Sequence, residues 1–122
     1  MASLEEVARI AMALTGVTEG RQHGNRAWLV MDKVFAWERP YSKADIRRFG
    51  DTDPPPEPVL AVRTAGLDAK VVILARNQPG FFTIPHFDGY AAVLITLACA
   101  RRRDLEGMLR HGHEATARAA RT

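Results

Sequence analysis

The side chains best suited to chemistry crowd into one stretch, Pro79-Gly80-Phe81-Phe82-Thr83-Ile84-Pro85-His86-Phe87-Asp88-Gly89-Tyr90. It holds three Phe, one Tyr, one His and two Pro, in a chain with five Phe, two Tyr and two Trp in all. His86 and Asp88 stand two apart. On an extended segment they would face the same way, and the Asp88 carboxylate could orient His86 and raise its pKa. A lone His-x-Asp is too small a ligand set to hold a metal ion. The rings could instead line a ligand pocket in which Phe81, Phe82, His86 and Tyr90 converge with Trp28, Trp37 and the cation Arg63. The plainer alternative is that the rings are core, Asp88-Gly89 bends the chain, and His86 packs between prolines and rings.

Other reactive constellations are missing. The sequence has no phosphate-binding glycine loop. No serine sits in a nucleophile elbow, and Ser3 and Ser42 read as helix caps. His111 and His113 would lie about 200° apart on a helix and could not share one ion. Asp51 and Asp53 flank a proline loop, a poor support for catalytic geometry. We therefore expect no catalytic residues, no cofactor and no metal. Cys99 is the single cysteine, which excludes an internal disulfide. It falls in the apolar run Ala91–Ala100, so a buried, inert thiol is expected.

Charge points to a second kind of chemistry. The net charge is +3 and the pI near 9.5. Residues 1–100 hold 11 basic and 11 acidic side chains, whereas residues 101–122 hold six Arg against Asp104, Glu106 and Glu114. The whole excess lies at the C-terminal end. Arg21, Arg26, Lys33, Arg39, Lys43, Arg47, Arg48 and the run Arg101, Arg102, Arg103 are the candidate phosphate contacts, with Trp37 or Phe82 able to stack on bases. The neutral first hundred residues weaken that reading.

The elements that must position these residues can be read from pattern. Ser3 and Glu6 have capping-box spacing before an apolar stripe that runs to Leu14, so helix is expected from Ser3 to Leu14, stopped at Gly16. The polar, glycine-bearing stretch Val17–Arg26 reads as a loop. Ala27–Met31 and Val34–Arg39 read as a hairpin around Asp32-Lys33, with Trp28 and Val30 on one face and Phe35 and Trp37 sharing a face by alternation. Ser42 caps a short helix, Lys43–Phe49, closed by Gly50. Asp51–Pro58 is a stiff, exposed connector. Val59–Thr64 is a strand, Asp68 caps a helix to about Arg76, Pro79-Gly80 turns, and Phe81–Ile84 is extended. Ala91–Leu97 is the most apolar strand. A last helix opens at Arg103 or Asp104. Residues 114–122, poor in large apolar side chains, are expected to fray as a basic tail. With 122 residues, the chain reads as a single α+β domain of two layers, 1–122, with a mainly antiparallel sheet of about five strands flanked by helices.

Taken in order, several pieces resemble the MmcQ/YjbR family from about Leu4 to His113. They are the opening helix with Leu14-Thr15-Gly16-Val17-Thr18-Glu19, then Asp32-Lys33-Val34-Phe35-Ala36, then Leu60-Ala61-Val62-Arg63. The last is Pro79–Tyr90, whose His86-Phe87-Asp88-Gly89-Tyr90 is the sharpest part. The resemblance implies a CyaY-like "double wing" fold, an antiparallel sheet flanked by helices. It also implies a DNA-binding label by fold-level analogy, and no transferable catalytic residues. The chain departs from the family at Arg110-His111-Gly112-His113, where an aromatic and a small hydroxyl residue often stand.

Three function classes follow. The first is nucleic-acid (DNA) binding through phosphates. The second is a small-ligand or peptide module using the aromatic pocket around Phe81–Tyr90. The third is a protein-interaction domain without catalysis. The opening Met1–Glu6 carries two acids and no apolar core of a signal peptide, so a cytoplasmic location is expected, with no membrane partner and a monomeric state.

Overall fold

Two strands rich in apolar residues dictate the architecture. β4 (Val59–Arg63) and β6 (Ala92–Thr96) are buried at every position except Arg63, so both faces of the sheet they form must be covered. The computed structural model describes residues 2–122. It shows an α+β domain built on one six-stranded antiparallel sheet, in the order β1-β2-β3-β4-β6-β5. The remaining strands are β1 (Val17–Gln22), β2 (Asn25–Val30), β3 (Lys33–Glu38) and the two-residue β5 (Phe81–Phe82). The helices are α1 (Leu4–Met12), α2 (Lys43–Phe49), α3 (Leu67–Ala75) and α4 (Arg102–Arg121), with a 3-10 turn at Pro85–Phe87. None of these helices is long and apolar enough to cross a membrane.

Alternation along β4 and β6 sends Leu60, Val62, Val93 and Ile95 to one core, with Leu105, Met108 and Leu109 of α4 and Val7 and Ala11 of α1. The opposite residues, Val59, Ala61, Ala92 and Leu94, form a second core with Trp37, Ile84 and Phe87, edged by Tyr41, Phe49 and Phe82. The long helices thus cover the first face. The second face is covered by α2 and the aromatic segment after Gly80. Gly80 itself (φ 86°) has no room for a side chain, because a Cβ would lie 2.7 Å from the Thr96 carbonyl oxygen.

The caps of α1 and α2 form as their sequences dictate. Ser3 accepts from the Glu6 amide, Ser42 and Asp45 form a reciprocal capping box, and Gly50 closes α2. α3 is capped by Gly66 rather than Asp68, which sits in the first turn where its charge favours the helix dipole.

Five further expectations are corrected. Val17–Arg26 is not a loop: β1 pairs with β2 through a two-residue turn at His23-Gly24, both left-handed (φ 50° and 81°). Its polar side chains belong to an edge strand, which charge protects from further pairing. Phe35 and Trp37 do not share a face. β2 places Trp28 opposite Ala36 and Leu29 opposite Val34, so Phe35 is the extra residue of a bulge. The bulge turns Phe35 into the first core and leaves Trp37 in the second. Cys99 is exposed, because the strand ends at Thr96 and the Leu97–Cys99 turn points the thiol outward. His86 and Asp88 lie on the 3-10 turn and its end, not on an extended segment. Residues 114–122 do not fray. α4 continues through them, burying Thr116 and Ala117 and pairing Arg118 with Glu114 at 2.9 Å.

The tail is ordered because α4 lies unusually close to the sheet. At Gly112 a Cβ would stand 2.7 Å from Val62 Cγ1 and 3.1 Å from the Arg63 carbonyl oxygen. The flanking histidines fix this crossing from opposite sides. His111 Nε2 accepts from the Ala65 amide at 3.1 Å, and His113 Nε2–H donates to the Thr15 carbonyl at 2.7 Å. Arg110–His113 is therefore the helix–sheet contact itself.

Two predictions follow from this crossing. Gly112→Val should destabilise the fold by about 1–3 kcal/mol through overpacking, read as a lower urea midpoint with unchanged slope. Burial, aided by Arg76, holds the His111 pKa below its ordinary 6.5. The unfolded chain then binds the proton more readily, so this contribution is full above the unfolded value and is lost as pH falls through the lowered folded value. Urea midpoints between about pH 7.5 and about pH 5 should fall on acidification, and His111→Gln should flatten that part of the profile.

Candidate functional site

The second face of the sheet is only partly covered, and the gap is where aromatic rings and cations meet. Trp37 on β3 lies 6.4 Å from the Phe87 ring and 6.2 Å from the Tyr90 ring, the latter edge-on. Phe87 and Tyr90 meet edge-on at 5.4 Å. Trp37 and Phe87 are buried, whereas Tyr90 is 37% exposed. Such edge-to-face clusters are held at fixed angles by the rings' quadrupoles.

Two arginines sit over this cluster. The Arg63 guanidinium is 5.5 Å from the Tyr90 ring centre and 5.9 Å from that of Trp37. Its Nε–H donates to the Val34 carbonyl at 2.7 Å, and among the described residues it has no carboxylate partner. Arg39 is 5.4 Å from the Phe87 ring centre. It is anchored by Asp45 at 3.0 Å and by the Pro40 carbonyl. Burial alone would raise the Asp45 pKa, but the Ser42 amide and Arg39 hold it below the ordinary carboxylate range.

Around these groups lie two adjoining hollows of about 230 and 330 Å³. They share Gln22, His23, Trp37, Arg39 and His86. His23 comes from the β1–β2 turn and His86 from the 3-10 turn, so the cleft is closed from two sides by exposed imidazoles. Glu38 is the one acid on its walls. The cleft offers flat aromatic surface, cationic donors and little negative charge. No nucleophile with an activating base lines it.

The wall that carries Phe87 and Tyr90 is pinned by a residue that sequence reasoning passed over. Lys70 of α3 is only 4% exposed, and its Nζ donates to the carbonyls of Phe87 and of Tyr90, the latter at 2.9 Å. Burial lowers its pKa, and the nearby Asp88 carboxylate opposes that shift. An ammonium buried against two backbone carbonyls converts a flexible turn into a fixed wall. The available signal was a lysine set directly before the apolar run Val71–Ala75 of a helix.

The predicted pocket set separates. Trp37, His86 and Tyr90 line the cleft, whereas Arg63 stacks on Trp37 and Tyr90 from a neighbouring hollow of about 540 Å³ that shares Gln22 with it, and Phe82 packs in the second core beneath. Trp28 and Phe81 belong to the first core, across the sheet, and do not converge with the others. Asp88 is exposed at the end of the 3-10 turn.

The candidate phosphate contacts separate as well. Arg26 is held by Glu19 at 2.8 Å and Glu5 at 2.9 Å, and its hydrogen bond to Glu19 is the chief cause that lowers the Glu19 pKa. Arg39 and Arg48 share Asp45. Arg102 pairs with Glu6 and Glu106. Arg21, Lys33, Lys43, Arg47, Arg101 and Arg103 are exposed and unpaired among the described residues. They are spread over β1, β3, α2 and the start of α4, and Arg101 and Arg103 border the helices of the other face.

The fold and this face together define an α+β domain with an open cleft of rings and cations. The chain is 41% identical over 113 residues to uncharacterized proteins of Mycobacterium tuberculosis (Rv2570 and MT2646) and Mycobacterium bovis (Mb2600), covering 89% of this chain and 84% of each relative. It belongs to the same family as these mycobacterial proteins. No protein-family model and no solved structure matches it.

If Lys70 is the pin, Lys70→Met should leave the Phe87 and Tyr90 carbonyls without their partner, at a cost of about 1–3 kcal/mol. Hydrogen exchange should then speed up at the Tyr90 and Ala92 amides, which close this turn, more than at β4.

Proposed function

We propose that this protein is a non-catalytic binding module whose cleft takes a small ligand with a planar ring and an anionic group. The observation that carries this reading is the half-buried Arg63, stacked on Trp37 and Tyr90 without a carboxylate partner. This guanidinium borders the cleft from the adjoining hollow and has donors left over for an anion, while the partly exposed Tyr90 ring between them offers a stacking edge. The size of the hollows and the absence of a nucleophile and base pair support binding rather than turnover.

A second reading is that the ligand is single-stranded nucleic acid, the DNA-binding function that the MmcQ/YjbR resemblance implies. It is favoured by the unpaired Lys43 and Arg47 on α2 beside the cleft, whereas Arg21 shares the face of β1 that carries Val17 and Glu19, across the sheet. A backbone running along α2 could lay a base on Tyr90. Assignment to the MmcQ/YjbR type is itself part of this proposal. Its support is the antiparallel sheet with flanking helices and the position of Pro79–Tyr90 as the cleft wall.

Calorimetric titration should separate the readings, using a mononucleotide, an aromatic carboxylate such as indole acetate, inorganic phosphate and a short single-stranded oligonucleotide. The first reading expects the mononucleotide or the aromatic carboxylate to bind more tightly than phosphate. It also expects Tyr90→Ala to weaken that binding about tenfold or more at unchanged stability. The second expects the oligonucleotide to bind far more tightly than the mononucleotide, with a salt slope that falls when Lys43 and Arg47 are replaced by Ala. Absence of binding to all four probes would remove both readings.

A further inference from the structure

We propose that α3 is a dimerisation surface, on which a second copy of this chain packs its own α3 antiparallel about a two-fold axis beside Val72. The helix is apolar on the side that faces solvent. Leu67 is 48%, Val71 66% and Val72 55% exposed, whereas only Lys70 and Ile73 are buried. The other exposed large apolar side chains, Met12, Met31, Ile46 and Tyr90, are scattered over separate elements. A contiguous exposed apolar patch rimmed by charges marks an interaction surface.

Charge identifies the cover. At about 100° per residue, Asp68, Val72 and Arg76 follow one line along the exposed side, with Val71 and Ala75 beside it. Asp68 and Arg76 are exposed, and neither has an ion-pair partner among the described residues. They stand four residues on either side of Val72. A two-fold axis at Val72 therefore sets Asp68 of each copy against Arg76 of the other, and the apolar side chains between them close on one another. An interface of this symmetry requires such self-complementarity. A uniformly acidic or basic partner would match one end of the helix and oppose the other. The surface is separate from the cleft, so its test stands apart from that of ligand binding.

The test is sedimentation equilibrium of the full chain from about 1 to about 500 µM. The wild type should pass from monomer to dimer within that range. Val72→Glu should stay monomeric throughout, and Asp68→Arg should weaken the dimer at least tenfold. The double variant Asp68→Arg with Arg76→Asp should restore it, because the swapped charges again face one another. Both single changes are at exposed positions, and matching melting curves would show that the fold is kept. A wild type that remains monomeric at the highest concentration overturns the proposal. So does a dimer indifferent to Val72→Glu, or a double variant no tighter than Asp68→Arg alone.

Discussion

β4 and β6 are apolar on both faces, and the chain has long helices for only one of them. Everything distinctive about the molecule follows from how the second face is covered. Exposing Val59, Ala61, Ala92 and Leu94 would cost on the order of 1 kcal/mol or more for each larger side chain. The cover is short: α2, and a turn that carries Ile84 and Phe87 inward and leaves His86 and Tyr90 outward. A cover this small leaves a gap beside Trp37, and a short turn has little packing of its own to hold its shape. The buried Lys70 supplies what packing does not, by tying the carbonyls of Phe87 and Tyr90 to α3. The cleft is thus a by-product of protecting the sheet, made rigid by one ammonium.

The first face is the opposite case. There α4 approaches so closely that Gly112 has no room for a methyl group, and His111 and His113 satisfy backbone groups on either side. Close approach lets small side chains such as Ala117 and Thr116 bury themselves without bulk. It also keeps the Arg101–Arg103 run on the helical side of the domain, away from the rings.

Much of the fold was legible in sequence wherever local pattern and tertiary environment agree. The β2–β3 hairpin, β4, β6 and the Ser42-to-Gly50 boundaries of α2 were all readable, because apolar alternation and capping residues act over a few neighbours. What escaped the pattern depends on distant partners. β1 has the composition of a loop and becomes a strand because β2 is there to pair with it. The bulge at Phe35 breaks the alternation that put Phe35 and Trp37 on a shared face. The last nine residues look too small to pack until Gly112 is seen against Val62. Of the site, the rings after Gly80, Trp37 and Arg63 were legible as residue types. The exclusion of Trp28 and Phe81, and the role of Lys70, were not, since each depends on which side of a sheet a residue falls. Some of the ion pairs are local, such as Arg48 with Asp45 three residues away, but those of Arg26 with Glu5 and Arg102 with Glu6 join residues 21 and 96 positions apart, beyond any local reading.

The central claim is that ligand recognition belongs to the face bearing Trp37 and not to the core face bearing Trp28. The chain has two tryptophans, so nitrogen–proton correlation spectra should show two indole signals, one from each face of the sheet. Titration with a mononucleotide and with indole acetate tests the claim directly. The account predicts a saturable shift of the Trp37 indole together with the Tyr90 amide, while the Trp28 indole stays in place. A titration that moves the Trp28 indole, or shifts only amides of α4 around Arg101–Arg103, would contradict it.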